Sequence, residues 1–172
     1  MPIKIGIGQD SHRLLKENSS NKPLMLGGIH IPSEYALEGN SDADVVLHAI
    51  CNAISSISGT VVLGPVTDRM CLEQGITDSA QYISETLKTL TTYTITHIAI
   101  TIECKVPKIN PHIDSMRQKI AELLHMEKTG VGITATSGEG LTAFGQGEGI
   151  QAFVVLTTVR KELLDMFRYY QK

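Results

Sequence analysis

Asp10 and His12 stand two residues apart near the start of the chain, and His48 follows in a separate segment. On an extended backbone successive side chains alternate faces, so Asp10 and His12 point the same way and can grip one ion together. The segment opening at Ser41 reads as a helix that carries His48 about two turns in, from where it could fold back toward the first strand. One carboxylate and two imidazoles leave a fourth tetrahedral position open, as expected of a catalytic rather than a structural zinc. The chain has six histidines, and one taken alone is more often a surface or hydrogen-bonded residue. Spacing by itself leaves open whether the two segments meet.

A second group of chemically useful residues lies in the stretch Thr136-Ser137-Gly138-Glu139. Its hydroxyls and amides can donate to phosphate oxygens, Glu139 can hold a hard cation, and glycine lets the backbone approach closely. The same composition also suits a plain turn between strands. Lys108, between Pro107 and Pro111, could contact a phosphate or base from a stiff turn, or stand as a solvated charge. Gly145-Gln146-Gly147-Glu148-Gly149 does not sit between a strand and a helix of a βαβ unit, so a dinucleotide loop is rejected.

These residues need elements to position them. Ile3, Ile5 and Ile7 alternate with Lys4 and Gly6, the period of a half-buried strand that delivers Asp10 and His12 just past its end. Residues 16–22 read as a mobile polar loop. Residues 24–31, with Gly27-Gly28 inside and Pro32 after, read as a strand or ribbon with a bend. Ser41 is placed to cap the clearest helix, which has a broad apolar face and ends at Gly59; Ser41-x-x-Asp44 also reads as a capping box. Asp78 caps a second helix to about residue 92, and residues 94–103 are β-branched enough for a central strand. The prolines at 107 and 111 preset a turn before a helix over 113–125. Residues 131–136 and 150–159 complete the strands, and strands interleaved with helices on one aliphatic core predict a two-layer α+β sheet with helices packed on one face.

Bulk properties narrow the partners. At 172 residues the chain fits one domain, 1–172, with roughly 70% of its unfolded surface buried. With no Trp and three Phe, the core must be aliphatic. A net charge of −3 without a Lys/Arg run argues against a nucleic-acid surface. Cys51, Cys71 and Cys104 are odd in number and lack a C-x-x-C pair, so reduced thiols in a cytoplasm are expected. Neither an apolar leader nor a run of 18 apolar residues is present, so no membrane association is expected.

Five ordered motifs add a resemblance. Gly8-x-Asp10-x-His12, Leu26-Gly27-Gly28-Ile29-x-Ile31-Pro32, Gly39-x-Ser41-Asp42-x-Asp44-x-x-x-His48-Ala49, Pro107-Lys108-x-x-Pro111-His112-Ile113-x-x-Met116-Arg117, and Ala135-Thr136-Ser137-x-Glu139 ending in Gly145-x-Gly147-Glu148-Gly149-Ile150 span nearly the whole chain. In order and spacing they resemble the 2-C-methyl-D-erythritol 2,4-cyclodiphosphate synthase family. The resemblance implies a non-redox step of the non-mevalonate route to isoprenoid precursors, in which 4-diphosphocytidyl-2-C-methyl-D-erythritol 2-phosphate is cyclised and CMP expelled. It implies a metal-dependent phosphorus–oxygen lyase, a homotrimer with a mixed sheet in each subunit and active sites between subunits. It assigns zinc to Asp10, His12 and His48, and a Mg²⁺ or Mn²⁺ bridging the diphosphate to Glu139. Catalytic roles fall on Asn40, Ser137 and Glu139. Substrate contacts fall on Asp10, His12, Asn40, Ser41, Thr136, Ser137, Gly138, Glu139 and Gln146, with the cytosine pocket on Cys104, Pro107, Lys108, Ile109 and Asn110.

Three departures from the family pattern stand out. Asn40 replaces the imidazole of the usual His-Ser-Asp, an amide that can donate but carries no charge. The usual Gly-Asp-Ile-Gly and Phe-Pro-Asp-Thr-Asp appear as the stretch 59–68, an altered substrate loop. Gln146 stands where an arginine is common, removing a cation. Two other classes compete: a zinc hydrolase using water in place of the 2-phosphate, disfavoured by the lack of an obvious base near the trio, and a trimeric binding protein that kept its pockets without turnover, suggested by Asn40 and the Thr60 stretch.

Overall fold

The computed structural model describes residues 1–15 and 22–164, so most of the loop expected at 16–22 lies outside the described residues. A five-stranded sheet runs in the order β4-β1-β7-β5-β6, formed by Ile3–Leu15 (β1), Ala36–Leu37 (β4), Tyr93–Glu103 (β5), Val131–Thr136 (β6) and Gly149–Arg160 (β7). β5 and β6 are parallel and the other pairs antiparallel. The sheet is therefore mixed. Leu24–Leu26 (β2) and Ile29–Ile31 (β3) form a separate hairpin around Gly27-Gly28, the ribbon with a bend that the sequence suggested.

The longest helix, Val45–Ser58 (α1), lies on β1 and β7. Pro65–Gln74 (α2), Ser79–Leu87 (α3), Ile113–Leu123 (α4) and the short Ala143–Gln146 (α5) are further helices. α1 approaches β1 closely because that strand offers glycine there: a Cβ on Gly6 would lie 2.4 Å from the Ala53 carbonyl oxygen, and one on Gly8 2.1 Å from that of Ala49. Ile50 and Ile54 are fully buried between the layers, where truncation to Ala costs on the order of 2–5 kcal/mol.

That packing corrects two expectations for the first strand. β1 continues to Leu15, so Asp10 and His12 lie within it rather than past its end. Its buried face is the glycine face, while Ile3, Ile5 and Ile7 are 49%, 71% and 62% exposed on the other side of the sheet. Alternation located the strand; which face turned inward depended on how closely a helix had to approach.

The capping expectation also shifts. α1 begins at Val45 and its cap is Asp44, whose carboxylate accepts from the amides of Val46 and Leu47. The other donors to that carboxylate are Gly27 and Gly28, at 2.9 and 2.7 Å. Asp44 thus ties the hairpin turn to the helix start, and Ser41 instead accepts from Ala43 N in a local turn. The helix ends at Gly59, as expected. Residues 65–74, within and beyond the altered substrate loop, form α2: Pro65 supplies the fixed φ of a first helical position, and Gly75 closes it in the left-handed region. α3 is capped by Asp78, as expected, and ends at Leu87 rather than near 92. No helix among the described residues is long and apolar enough to cross a membrane.

Candidate active site

Asp10 and His12 project from the helix-facing side of β1, and the first turn of α1 brings His48 against them. Asp10 Oδ2 lies 3.0 Å from His12 Nε2 and 3.1 Å from His48 Nδ1, and the two ring nitrogens are 3.1 Å apart. The convergence that spacing left open is therefore present. A tetrahedral ion with bonds of about 2.0–2.1 Å needs donor-to-donor edges of about 3.3 Å, close to this triangle. The three residues form a group that could hold a metal ion.

The opposite side of each ring is also engaged. His12 Nδ1–H donates to the Glu38 carbonyl at 2.7 Å, which leaves Nε2 as the free donor atom. His48 Nε2–H donates to Ser79 Oγ at 2.9 Å, and that hydroxyl donates in turn to the Asp42 carboxylate. Asp42 accepts the Ser79 amide as well, at 3.0 Å. Such outer partners fix ring tautomer and orientation in metal sites. Sequence reasoning missed Ser79: Asp78-Ser79 signalled only a helix start.

The charges agree with a cation site. Burial pushes the Asp10 carboxyl up, but the hydrogen bonds and charges of His12 and His48 outweigh it and hold the group at about 2. Burial lowers His12, while Asp10 and the Glu38 carbonyl raise it by more, so its pKa lies above 6.5. Asp10 thus keeps its negative charge, and His12 holds more firmly a proton that a metal would displace.

A cavity of about 280 Å³ opens beside the trio, lined also by Asn40 and Ser41 and closed by Thr67, Asp68 and Cys71 of α2 and by Tyr82 of α3. The altered loop is therefore a helical wall of this cavity.

A second cavity, about 210 Å³, lies at the ends of β5 and β6 and is lined by Cys104, Lys105, Pro107, Lys108, Ile109, Asn110, Ala135, Thr136 and Ser137. The five residues expected at a cytosine pocket and the two hydroxyls thus share one hollow. Backbone bonds shape it, from Cys104 N–H to the Thr136 carbonyl and from Lys105 N–H to the Phe144 carbonyl, both 3.1 Å. Burial pushes the Cys104 thiol up to about 11, so it stays neutral and donates to the Pro107 carbonyl. Thr136 Oγ1 accepts from Gly138 N–H at 3.2 Å, leaving its proton to donate outward. Glu139 is held in the left-handed region (φ 50°, ψ 20°), a conformation costing on the order of 1–3 kcal/mol that gathers at functional loops. Gln146 turns back to donate to the Gly140 carbonyl at 3.3 Å and lines neither cavity.

The two cavities share no lining residue. Asp10 pairs with Ala152 and Ala152 with Ile102, two residues before Cys104, so β7 stands between the strand that carries the metal group and the strand that leads into the second hollow.

A model of the YgbB family matches residues 3–159. The 2-C-methyl-D-erythritol 2,4-cyclodiphosphate synthase of Chlamydia muridarum is 52% identical over 157 residues, 91% of this chain and 88% of its own. A solved 2C-methyl-D-erythritol-2,4-cyclodiphosphate synthase in a CDP-bound form is 28% identical, with a TM-score of 0.77 over 90% of this chain and 99% of its own. The Plasmodium vivax synthase, at 22% identity, shares the fold with a TM-score of 0.76 over 92% of this chain and 99% of its own. This chain belongs to the YgbB family, that of the 2-C-methyl-D-erythritol 2,4-cyclodiphosphate synthases.

Proposed function

We propose that this protein cyclises 4-diphosphocytidyl-2-C-methyl-D-erythritol 2-phosphate to 2-C-methyl-D-erythritol 2,4-cyclodiphosphate, releasing CMP, in the non-mevalonate route to isoprenoid precursors. The observation that carries this reading is a three-donor metal group and a hydroxyl-lined hollow of about 210 Å³ on one chain that is 52% identical to a synthase of that name. In this phosphorus–oxygen lyase reaction an oxygen of the 2-phosphate bonds to the β-phosphorus. The bond from that phosphorus to the bridging oxygen breaks, and its electron pair leaves with CMP. A phosphomonoester with a second pKa of about 6 is already ionised near neutral pH, so no general base is required.

Zinc on Asp10, His12 and His48, and Mg²⁺ or Mn²⁺ on Glu139, would supply charge neutralisation at the phosphate oxygens. A single carboxylate on an exposed loop suits an ion that takes its other ligands from substrate phosphates and water. The remaining work falls to the chain's own donors. Ser41, whose oxygen accepts from Ala43 N–H, and Asn40 both line the metal cavity, and their hydroxyl and amide donate to the 2-phosphate. Thr136 and Ser137 donate to the transferring phosphoryl group, with the Gly138 backbone alongside. Backbone groups from Cys104 through Pro107 and Ile109 to Asn110 read the base, with Lys108 close by. Gln146, engaged by Gly140, meets substrate only through the loop it steadies.

The reading includes a homotrimer. Ile3, Ile5 and Ile7 continue across the sheet into Phe153 and Val155, both 42% exposed, and Ile7 pairs with Val155. A contiguous apolar face of this kind marks an interface. Two further copies would cover it and set the metal cavity of one subunit against the nucleotide hollow of the next. We place the enzyme in the cytoplasm, where its three free cysteines stay reduced. Phosphorus NMR of the protein with the cytidine diphosphate ester and Mg²⁺ tests the activity: a cyclic diphosphate formed with equimolar CMP supports it. Inorganic phosphate without a cyclic product would instead mark a hydrolase.

A further inference from the structure

Glu103 ends β5 opposite Thr136 of β6 and Gln151 of β7, one residue before the nucleotide hollow begins. Glu103 is not among the residues that line that hollow. Its carboxylate accepts the hydroxyl proton of Thr142, and the Thr142 oxygen accepts the Gly145 amide at 2.9 Å, so the hydroxyl's donor and acceptor are both engaged. The same carboxylate fills the space beside Gly138: a Cβ there would lie 2.1 Å from Glu103 Oε1, and Gly138 has a φ of +70°. Gly145 in turn packs on the loop backbone, since its Cβ would meet the Gly138 oxygen at 2.8 Å and the Gly140 nitrogen at 3.0 Å. The segment that holds Glu139 in the left-handed region therefore wraps around one side chain from a neighbouring strand.

We propose that Glu103 is a positioning residue, a fixed peg that acts through Thr142 and Gly138 to hold Glu139 in its cation-binding conformation. Glu103 touches neither substrate nor ion in this role. Two features separate a peg from a second metal-binding carboxylate. Oε1 is already bonded to Thr142 and is the atom packed beside Gly138, and that hydrogen bond needs an acceptor oxygen rather than a charge. A neutral amide at 103 keeps the acceptor; an alanine loses both the acceptor and the packing against Gly138.

The inference rests on reading the loop as a divalent-cation site, and its test separates the two. Full-length, zinc-loaded protein saturated with CDP is titrated with Mn²⁺, and free Mn²⁺ is followed by electron paramagnetic resonance. For Glu103→Ala and Thr142→Ala the expected result is Mn²⁺ affinity weaker by at least about tenfold, the range typical of lost outer contacts, with zinc content unchanged. Glu103→Gln stays within about threefold of wild type, because it preserves the contact. Should Glu103→Ala fail to fold, Thr142→Ala decides by the same threshold. Unaltered affinity in Glu103→Ala overturns the positioning role alone. Equal losses in Glu103→Gln and Glu103→Ala overturn it in favour of direct charge. Wild-type protein that takes up no Mn²⁺ with CDP present refutes both the role and the loop's reading as a cation site.

Discussion

The metal corner and the phosphate loop reach their geometry by different routes. At the metal corner, rigid elements aim side chains: β1 sets Asp10 and His12 on one face, α1 delivers His48, and Glu38 and Ser79 lock the rings. At the loop, the backbone itself does the shaping, through glycines, a left-handed Glu139 and main-chain bonds from Cys104 and Lys105. Side-chain type therefore matters most at the first site and conformation at the second. Removing a donor should abolish the metal corner, while the loop should respond to changes that never alter a donor.

The largest effect is expected for His48→Ala or His12→Ala. Each removes one of three donors, and zinc content should fall to near zero together with cyclisation, a loss of at least about a hundredfold. Metal analysis and phosphorus NMR on the same preparation check it; a zinc-free His48→Ala protein with wild-type turnover would sink the assignment. Next in size is Ser79→Ala, which leaves the donors but frees His48 Nε2 from its partner. Zinc affinity should weaken by about 10–100-fold, read by competition with a chelator.

The pH dependence sharpens the contrast, because two of the metal corner's own donors, Asp10 and His12, are shifted. The His12 pKa is raised above 6.5 in the folded chain by Asp10. Without metal, His12 contributes stability that is fully present below 6.5 and lost as pH rises through its raised value. Asp10, held at about 2 from an ordinary 3.8, contributes stability above 3.8 that is lost as pH falls through about 2. Zinc requires His12 neutral, so its affinity should weaken as pH falls below the His12 value, by up to about tenfold per unit. The gain in melting temperature on adding zinc should accordingly be larger at pH 8 than at pH 6. A gain independent of pH would show that His12 is not a ligand. The smallest effect is expected for Asn40→His, which adds a chargeable donor beside the cavity without touching the trio. Turnover should be equal or higher and zinc content unchanged; a clear drop would show that the amide is itself required.

The same contrast explains what could be read from the chain. Asp10, His12 and His48 were legible because their chemistry resides in residue type, and β6, β7 and the end of α1 at Gly59 because β-branching and glycine act locally. The exposed Ile3-Ile5-Ile7 face was not, since alternation gives the period of a strand but not the side on which a helix presses. Asp44 displaced Ser41 as the cap because its carboxylate also collects the amides of Gly27 and Gly28, a tertiary demand with no local sign. α2 has its local signals in Gly64-Pro65 and Gly75, but the resemblance reads the start of that stretch as a loop. Glu103 could not have been singled out: its significance lies in a contact with Thr142 and Gly138 across the turn.

Since the two cavities lie on opposite sides of β7, subunit mixing bears on the central claim, that the metal corner of one chain works with the phosphate loop of another. His48→Ala and Glu139→Gln chains, each inactive alone, are coexpressed with different tags, and doubly tagged trimers are purified. In the proposed homotrimer random assembly would restore one complete site in each mixed trimer, so an unsorted equal mixture should regain about a quarter of wild-type cyclisation and the doubly tagged fraction about a third. Doubly tagged trimers with no activity above that of either variant alone would contradict it.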